Sequence, residues 1–206
     1  MKLLPLQLVS KRGNWQRFHK RRSSSNFQKI EYKVFERDDY TCQYCGFKSD
    51  KYQVVVNKNH NYGGEHNAAS NMATACKFCA QCMLLDGIGG DGNSGGYIIY
   101  LPEISQSDLN NFCKVLFTSM LNDSPYKGKL QTTYLSLQDR EQIVCEIFGP
   151  NSSDPYILGQ GIIDSNIGGK QLNHTLLKQL RLLPDRRCFQ KEINYWKETV
   201  YSQIPL

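Results

Sequence analysis

Two Cys-x-x-Cys pairs, Cys42/Cys45 and Cys76/Cys79, constrain this chain more than any other feature. Two intervening residues let a tight turn aim both sulfurs at one point. Two such turns make a tetrahedral four-sulfur site, and thiolate softness with that geometry favours Zn2+. Gly46 follows the first pair, where a metal knuckle needs a residue that tolerates positive φ. The segment between the pairs must hold structure of its own: residues 52–56 are β-branched and aromatic, as a strand should be, and Tyr62-Gly-Gly-Glu65 supplies a turn. The rival readings are disulfides, which need an oxidising compartment, a redox Cys-x-x-Cys, which has no use for a second pair, and four unrelated core cysteines. The reading taken is one structural zinc on Cys42, Cys45, Cys76 and Cys79. Cys82, three residues on, is read as a bystander on the following helix.

The chain has 206 residues, enough for one good core or two small subdomains. No apolar run approaches the roughly 20 residues that span a bilayer. Leu3, Leu4, Leu6 and Leu8 are interrupted by Pro5 and no cleavage site follows, so this stretch reads as neither signal peptide nor anchor. With eight cysteines and no export signal, the expectation is a cytoplasmic protein without direct membrane insertion. Cys113, Cys145 and Cys188 are then small buried hydrophobes. A net charge of +6 permits nucleic acid or an acidic protein surface as partner and decides neither.

Along the chain, residues 3–9 alternate weakly and suggest a short strand. Residues 11–22 are basic, with Trp15 and Phe18 interleaved. They fit a phosphate-binding arm or a solvated face whose aromatics dock on the core; the second is taken, because no base-reading motif accompanies them. Phe27, Ile30, Val34 and Phe35 predict a helix over 27–37, and the second cysteine pair should open another. The glycine-rich run 87–96 lacks the Gly-Lys-Ser/Thr of a phosphate cradle and precedes a strand at 97–101, so it reads as a flexible connection. Ser105 or Ser107 caps a helix carrying Leu109, Phe112, Leu116 and Met120. Residues 122–129 read as a loop. A helix over 138–148 buries Ile143, Val144, Ile147 and Phe148, and a short one over 155–163 ends before Gly168-Gly169. Leu172, Leu176 and Leu180 predict a helix broken at Pro184, and Asp185 caps the last, with Phe189, Ile193, Trp196 and Val200 as its stripe. The fold class expected is α+β: a basic N-terminal segment (1–26), a zinc-binding unit (27–86) and a mainly helical region (97–206) packed with it.

Helix, Cys-x-x-Cys knuckle, strand, Gly-Gly turn, Asn, Cys-x-x-Cys and helix is an order that resembles the zinc-containing HNH endonucleases, with a treble-clef fold, over roughly residues 27–85. In that family a His, usually after an Asp or His, ends the first strand and activates water; a middle Asn orients the loop, and a His or Asn on the last helix helps hold a divalent metal. Asn71 matches the middle Asn. The strand ends in Val56-Asn57-Lys58, and the position after the second pair is Ala80. None of these can serve as imidazole base or carboxylate ligand. His60 and His66 lie nearby, but a shifted alignment leaves too few residues before Gly63-Gly64. The resemblance therefore implies a degenerate nuclease scaffold with no catalytic residues, not an enzyme.

A narrower resemblance covers most of the chain. Tyr40-Thr-Cys-Gln-Tyr-Cys-Gly-Phe47, Cys79-Ala-Gln-Cys82, Ile99-Tyr-Leu-Pro-Glu103, Val115-Leu-Phe117, Ser153-Asp-Pro155 and Arg181-Leu-Leu-Pro184, with Trp196 beyond, are similar in order to the IcmJ (DotN) family of Dot/Icm type IVB secretion systems. That resemblance implies a cytoplasmic subunit of the coupling complex, recruited to the inner membrane. It implies binding to the C-terminal tail of the coupling ATPase DotL, with DotM, IcmS and IcmW as indirect partners in effector recruitment. A metal-dependent HNH DNA endonuclease and a non-catalytic nucleic-acid-binding zinc protein are the alternatives. A nuclease assay with Mg2+ and a pull-down with the ATPase tail would separate the three.

Overall fold

In the computed structural model of the chain, residues 2–90, 92, 94–121, 125–167 and 174–202 are described. The basic run folds as α1, Asn14–Arg22, whose inward side carries Phe18 and Arg21 and whose outward side leaves Arg17 and Lys20 in solvent. After a break at Ser23-Ser24 comes α2, Ser25–Arg37. Its Phe27 and Val34 are buried, with Ile30 and Phe35 packed on the same small cluster against Val55 and Met72. Residues 3–9 do not form a strand. Leu4 N donates to Gln43 O (2.8 Å) and Val9 N to Cys82 O (2.8 Å), tethers to two separate places rather than a ladder. Pro5 between them has no N–H to offer a partner strand.

The cysteine pairs bracket a hairpin. Strand β1, Gln53–Asn57, pairs antiparallel with β2, Met72–Cys76, in the register Val55↔Thr74. β1 starts one residue later than its side chains suggest, because Tyr52 sits at φ +62° and turns the chain into the strand. β2 carries no strand signal of its own; its small residues show no alternation, since both of its faces are buried. Helix α3, Lys77–Cys82, follows immediately and packs back on the hairpin.

A second two-stranded sheet lies beyond the glycine-rich run. Strand β3, Gly96–Tyr100, pairs antiparallel with β4, Leu180–Pro184, in the register Ile98↔Leu182. A Cβ at Gly96 would run into Leu183 O, so this rung requires glycine. Between the strands lie α4 (Gln106–Ser119), α5 (Lys127–Gln138), α6 (Glu141–Phe148), α7 (Pro155–Ile167) and α8 (His174–Leu177), and α9 (Gln190–Thr199) closes the chain. The connection 87–96 is less free than expected in its described residues. Ile88 is buried, and Gly95 N donates to Gln81 Oε1 (3.0 Å); Asp91 and Asn93 lie outside the described residues.

Several helical expectations need correction. The helix through Leu176 and Leu180 stops at Leu177, and Leu180 opens β4 instead. Leu180 and Leu182 face one way at period two, and pairing with β3 overrides any local helical preference. Leu172 and Gly168-Gly169 lie outside the described residues. Phe112 is exposed, and the buried stripe of α4 is Leu109, Cys113, Leu116, Phe117 and Met120. Ile143 and Ile147 are likewise exposed; only Val144 of α6 is fully buried, because α6 lies over the second sheet with one narrow edge. α5 starts at Lys127, inside the expected loop, whose residues 122–124 are outside the described set. Ser105 caps α4 as its sequence suggests, accepting from Asp108 N (3.1 Å). Asp185 accepts from Arg187 N (2.9 Å) at the head of the 3₁₀ turn Arg186–Phe189 that leads into α9.

The fold is mixed α and β with two small sheets among the described residues. Its main core runs through both halves of the chain. Phe78 of α3 meets Phe117 of α4 (ring centres 6.1 Å), Phe189 (4.7 Å) and Trp196 of α9 (5.4 Å), and Phe47 meets Trp196 edge-on at 5.0 Å. Among the described residues no helix is long and apolar enough to cross a membrane.

Candidate metal centre

The first cysteine pair is shaped by backbone hydrogen bonds. Cys42 N donates to Phe47 O and Gly46 N to Cys42 O, both at 2.9 Å. Gly46 takes φ +75°, the left-handed conformation this tight return demands. Gln43 N donates to Thr74 O (2.9 Å), fixing the knuckle to β2. The second pair straddles the start of α3: Cys76 is the extended residue before the helix, and Cys79 lies in its first turn. Both sulfurs then point at the knuckle.

All four sulfurs lie within 4.8 Å of one another and all four residues are buried. Cys45 Sγ and Cys76 Sγ are 3.8 Å apart. A tetrahedral tetrathiolate with metal–sulfur bonds of about 2.3 Å needs sulfur–sulfur edges of about 3.8 Å. The residues therefore fit a metal ion. Among the described residues this is the only group of three or more His, Cys, Asp or Glu side chains so placed. Burial pushes the Cys42 and Cys79 thiols up, whereas the hydrogen bond from Cys42 leads a lowering at Cys45. At Cys76, hydrogen bonds from Cys42, Cys45 and Cys79 and the nearby Lys114 ammonium outweigh burial and carry its pKa well below the ordinary thiol value. Cys82 stands apart, its thiol donating to Phe78 O (3.3 Å) within the second core cluster.

Residues of α4 surround the sulfurs. Lys114 Nζ lies 3.3 Å from Cys45 Sγ, and Asn110 Nδ2 donates to Cys79 Sγ at 3.3 Å. Asn111 Nδ2 donates to Cys45 O (2.9 Å), and Ser107 Oγ to Tyr44 O (2.8 Å). Sequence reasoning missed these residues. The available signal was a pair of amides and a lysine at helical spacing on the apolar side of α4, a costly set to bury without partners.

The strand-end position is built for packing. Asn57 is wholly buried; its Oδ1 accepts from Arg21 Nη1 (2.8 Å) and its Nδ2 donates to Asn61 O (2.6 Å). Arg21 also donates to Val55 O (2.6 Å) and Asn67 Oδ1 (3.2 Å), and lies over the rings of Phe27 and Tyr62 at 4.4 and 4.6 Å. Burial lowers its pKa to about 10. Lys58 is exposed and Ala80 is buried in the main core. Asn71 does hold the loop: its Nδ2 donates to His66 O (2.9 Å), and its Oδ1 accepts from Asn59 N (3.2 Å). His60 sits at φ +54°, its pKa lowered first by burial and then by Lys11, while His66 Nδ1 lies 3.3 Å from Asn59 Nδ2. Among the described residues, the two histidines are not gathered with an acid into a common metal site.

No protein-family model matches the chain. Among curated proteins it is 43% identical over 199 residues to the type 4 apparatus protein DotN of Legionella pneumophila, a match covering 97% of this chain and 92% of that protein.

Proposed function

The chain belongs to the DotN family of type 4 apparatus proteins, and from that premise we propose that it is a zinc-stabilised scaffold subunit of a type IVB secretion coupling complex. Its task is to bind the C-terminal tail of the coupling ATPase DotL, which brings it to the inner membrane and, through DotM, IcmS and IcmW, near effector recruitment. The observation that carries this reading is identity along nearly the whole of both chains rather than over the cysteine unit alone.

The metal is Zn2+ on Cys42, Cys45, Cys76 and Cys79, in a treble-clef unit of HNH type. Four thiolates leave no open coordination position, so the ion supplies a cross-link and no Lewis-acid chemistry. Part of its binding free energy is then folding free energy. A rigid unit of this kind loses little entropy on docking a peptide, and the net charge of +6 suits an acidic one.

The protein is not a nuclease. Support comes from Asn57, whose amide is engaged with Arg21 and Asn61 and has no freedom to activate water. Ala80 offers no ligand where a second metal contact would be needed.

The purified chain should carry one Zn2+, lost in Cys42→Ser and kept in Cys82→Ser. It should form a complex with the ATPase tail that survives gel filtration, with association slowing as salt rises. It should leave plasmid DNA intact in Mg2+ or Mn2+. A zinc-loaded chain with no calorimetric signal for the tail at micromolar concentration sinks the scaffold reading. Cleavage abolished by His60→Ala or His66→Ala restores the enzyme.

A further inference from the structure

Four thiolates around a divalent ion carry a net charge of about −2, and this cluster is closed off from water. Compensation has to come from the protein. Lys114 is 0% exposed, and its ammonium contacts Cys45 Sγ at 3.3 Å and Asn111 Oδ1 at 3.1 Å, over the rings of Phe47 and Phe78 at 4.7 and 5.6 Å. Asn110, also 0% exposed, donates to Cys79 Sγ, the other pair. The amide chain continues outward: Gln106 Nε2 donates to Asn110 Oδ1 (3.0 Å) and to Leu182 O (2.9 Å), and Leu182 N donates to Gln106 Oε1 (2.8 Å). One line of buried hydrogen bonds thus joins a cysteine sulfur to β4.

We propose that α4 forms the second layer of the metal centre, with Lys114 and Asn110 as positioning residues that each donate to one cysteine pair. Metal loading and docking of the C-terminal half onto the cysteine unit are then one equilibrium. With the ion bound, the ammonium and the amide face anionic sulfur. Without it, a buried cation loses its reason to stay, and α4 departs with β4 and α9 attached to it. The inference rests on the metal reading above.

The test uses Zn2+ and Co2+ as probes on the full chain, comparing Lys114→Met and Asn110→Ser with Val115→Ala on the exposed side of α4. Both inward variants should release Zn2+ to excess chelator roughly 10- to 100-fold faster than wild type, the usual effect of losing an outer partner of a metal ligand. Their Co2+ charge-transfer bands should move to longer wavelength, because a thiolate without its donor is more electron-rich. Val115→Ala should match wild type on both. In a Trp15→Phe background, Trp196 fluorescence should change in step with metal removal. A purely structural role would lower the unfolding temperature of the inward variants but leave release rate and Co2+ spectrum at wild-type values, and that result overturns the proposal. If Lys114→Met fails to fold, Asn110→Ser, which keeps the cation, decides on the same two readings. A wild-type chain that takes up neither ion sinks the metal reading, and this one with it.

Discussion

Arg21 and Arg22 are neighbours in one basic run, and the fold uses them in opposite ways. Arg21 turns inward to give three hydrogen bonds to Asn57, Val55 and Asn67, between two aromatic rings. Arg22 is only half-buried, its Nε 3.6 Å from Oε1 of the largely buried Glu31. Arg21→Met keeps the bulk but leaves the oxygens of Asn57 and Val55 without that donor in the interior, each omission costing roughly 1–3 kcal/mol. Urea denaturation should show Arg21→Met destabilised by roughly 2–4 kcal/mol. Arg22→Met should cost less than Arg21→Met, since it removes one 3.6 Å ion pair rather than three hydrogen bonds. Equal losses would mean that Arg21 is no more than a surface charge. The same contrast explains why a basic segment with interleaved aromatics need not be a nucleic-acid arm: its most engaged cation faces the protein's own strand end.

The element-level counterpart is the tie between the end of α2 and the hairpin. Arg37 Nε donates to Asp38 Oδ1 (2.8 Å) and its Nη2 to Met72 O (2.8 Å), while Asp38 Oδ2 accepts from Thr74 N (2.8 Å). Burial pushes the Asp38 carboxyl up, but the bonds from Arg37 and Thr74 outweigh it and leave the pKa below the ordinary value. A carboxyl lowered in the folded state adds stability above its unfolded pKa of about 3.9 and loses that contribution as pH falls through the folded value. The gap in unfolding midpoint between wild type and Asp38→Asn should therefore be widest near neutrality and narrow as pH falls toward 4 and below. A gap that does not move with pH would remove the charge from the explanation. This tie was not legible in the sequence, because it depends on β2. Met72-Ala-Thr-Ala-Cys76 has neither β-branched density nor alternation, and only the hairpin makes it a strand. β4 hid for a related reason: its leucines fit helical spacing with Leu176 until β3, 80 or more residues earlier in the chain, is there to pair with them. That the four cysteines come together could be read because Cys-x-x-Cys spacing is local, whereas Lys114 and Asn110 could not, since their partners lie in another element.

Whether the cysteine unit is a separable domain is a question for the whole molecule, and its interior argues against separation. Phe47 and Phe78 belong to the unit by sequence, yet the rings that bury them, Phe117, Phe189 and Trp196, all come from beyond the glycine-rich run. Lys77 of α3 pairs with the buried Glu192 of α9, and Tyr195 Oη lies 2.6 Å from Asp50 Oδ1, so polar contacts cross the same boundary. Cutting after residue 90 would expose both aromatic faces and strip the sulfurs of Lys114 and Asn110 together. Burying one such side chain contributes roughly 1.5–3 kcal/mol, and a whole domain is stable by only about 5–15 kcal/mol. Losing two or three of them along with the donors to the four sulfurs therefore leaves little margin. A fragment of residues 1–90 loaded with Zn2+ should bind a hydrophobic dye and give a poorly dispersed amide spectrum, whereas the full chain should unfold in one transition by fluorescence and circular dichroism alike. A well-dispersed, dye-free fragment would make the unit autonomous, and full-chain transitions that separate between the two probes would say the same. With one shared core, by contrast, any surface offered to a partner by the C-terminal half is held in shape by the cysteines of the N-terminal half.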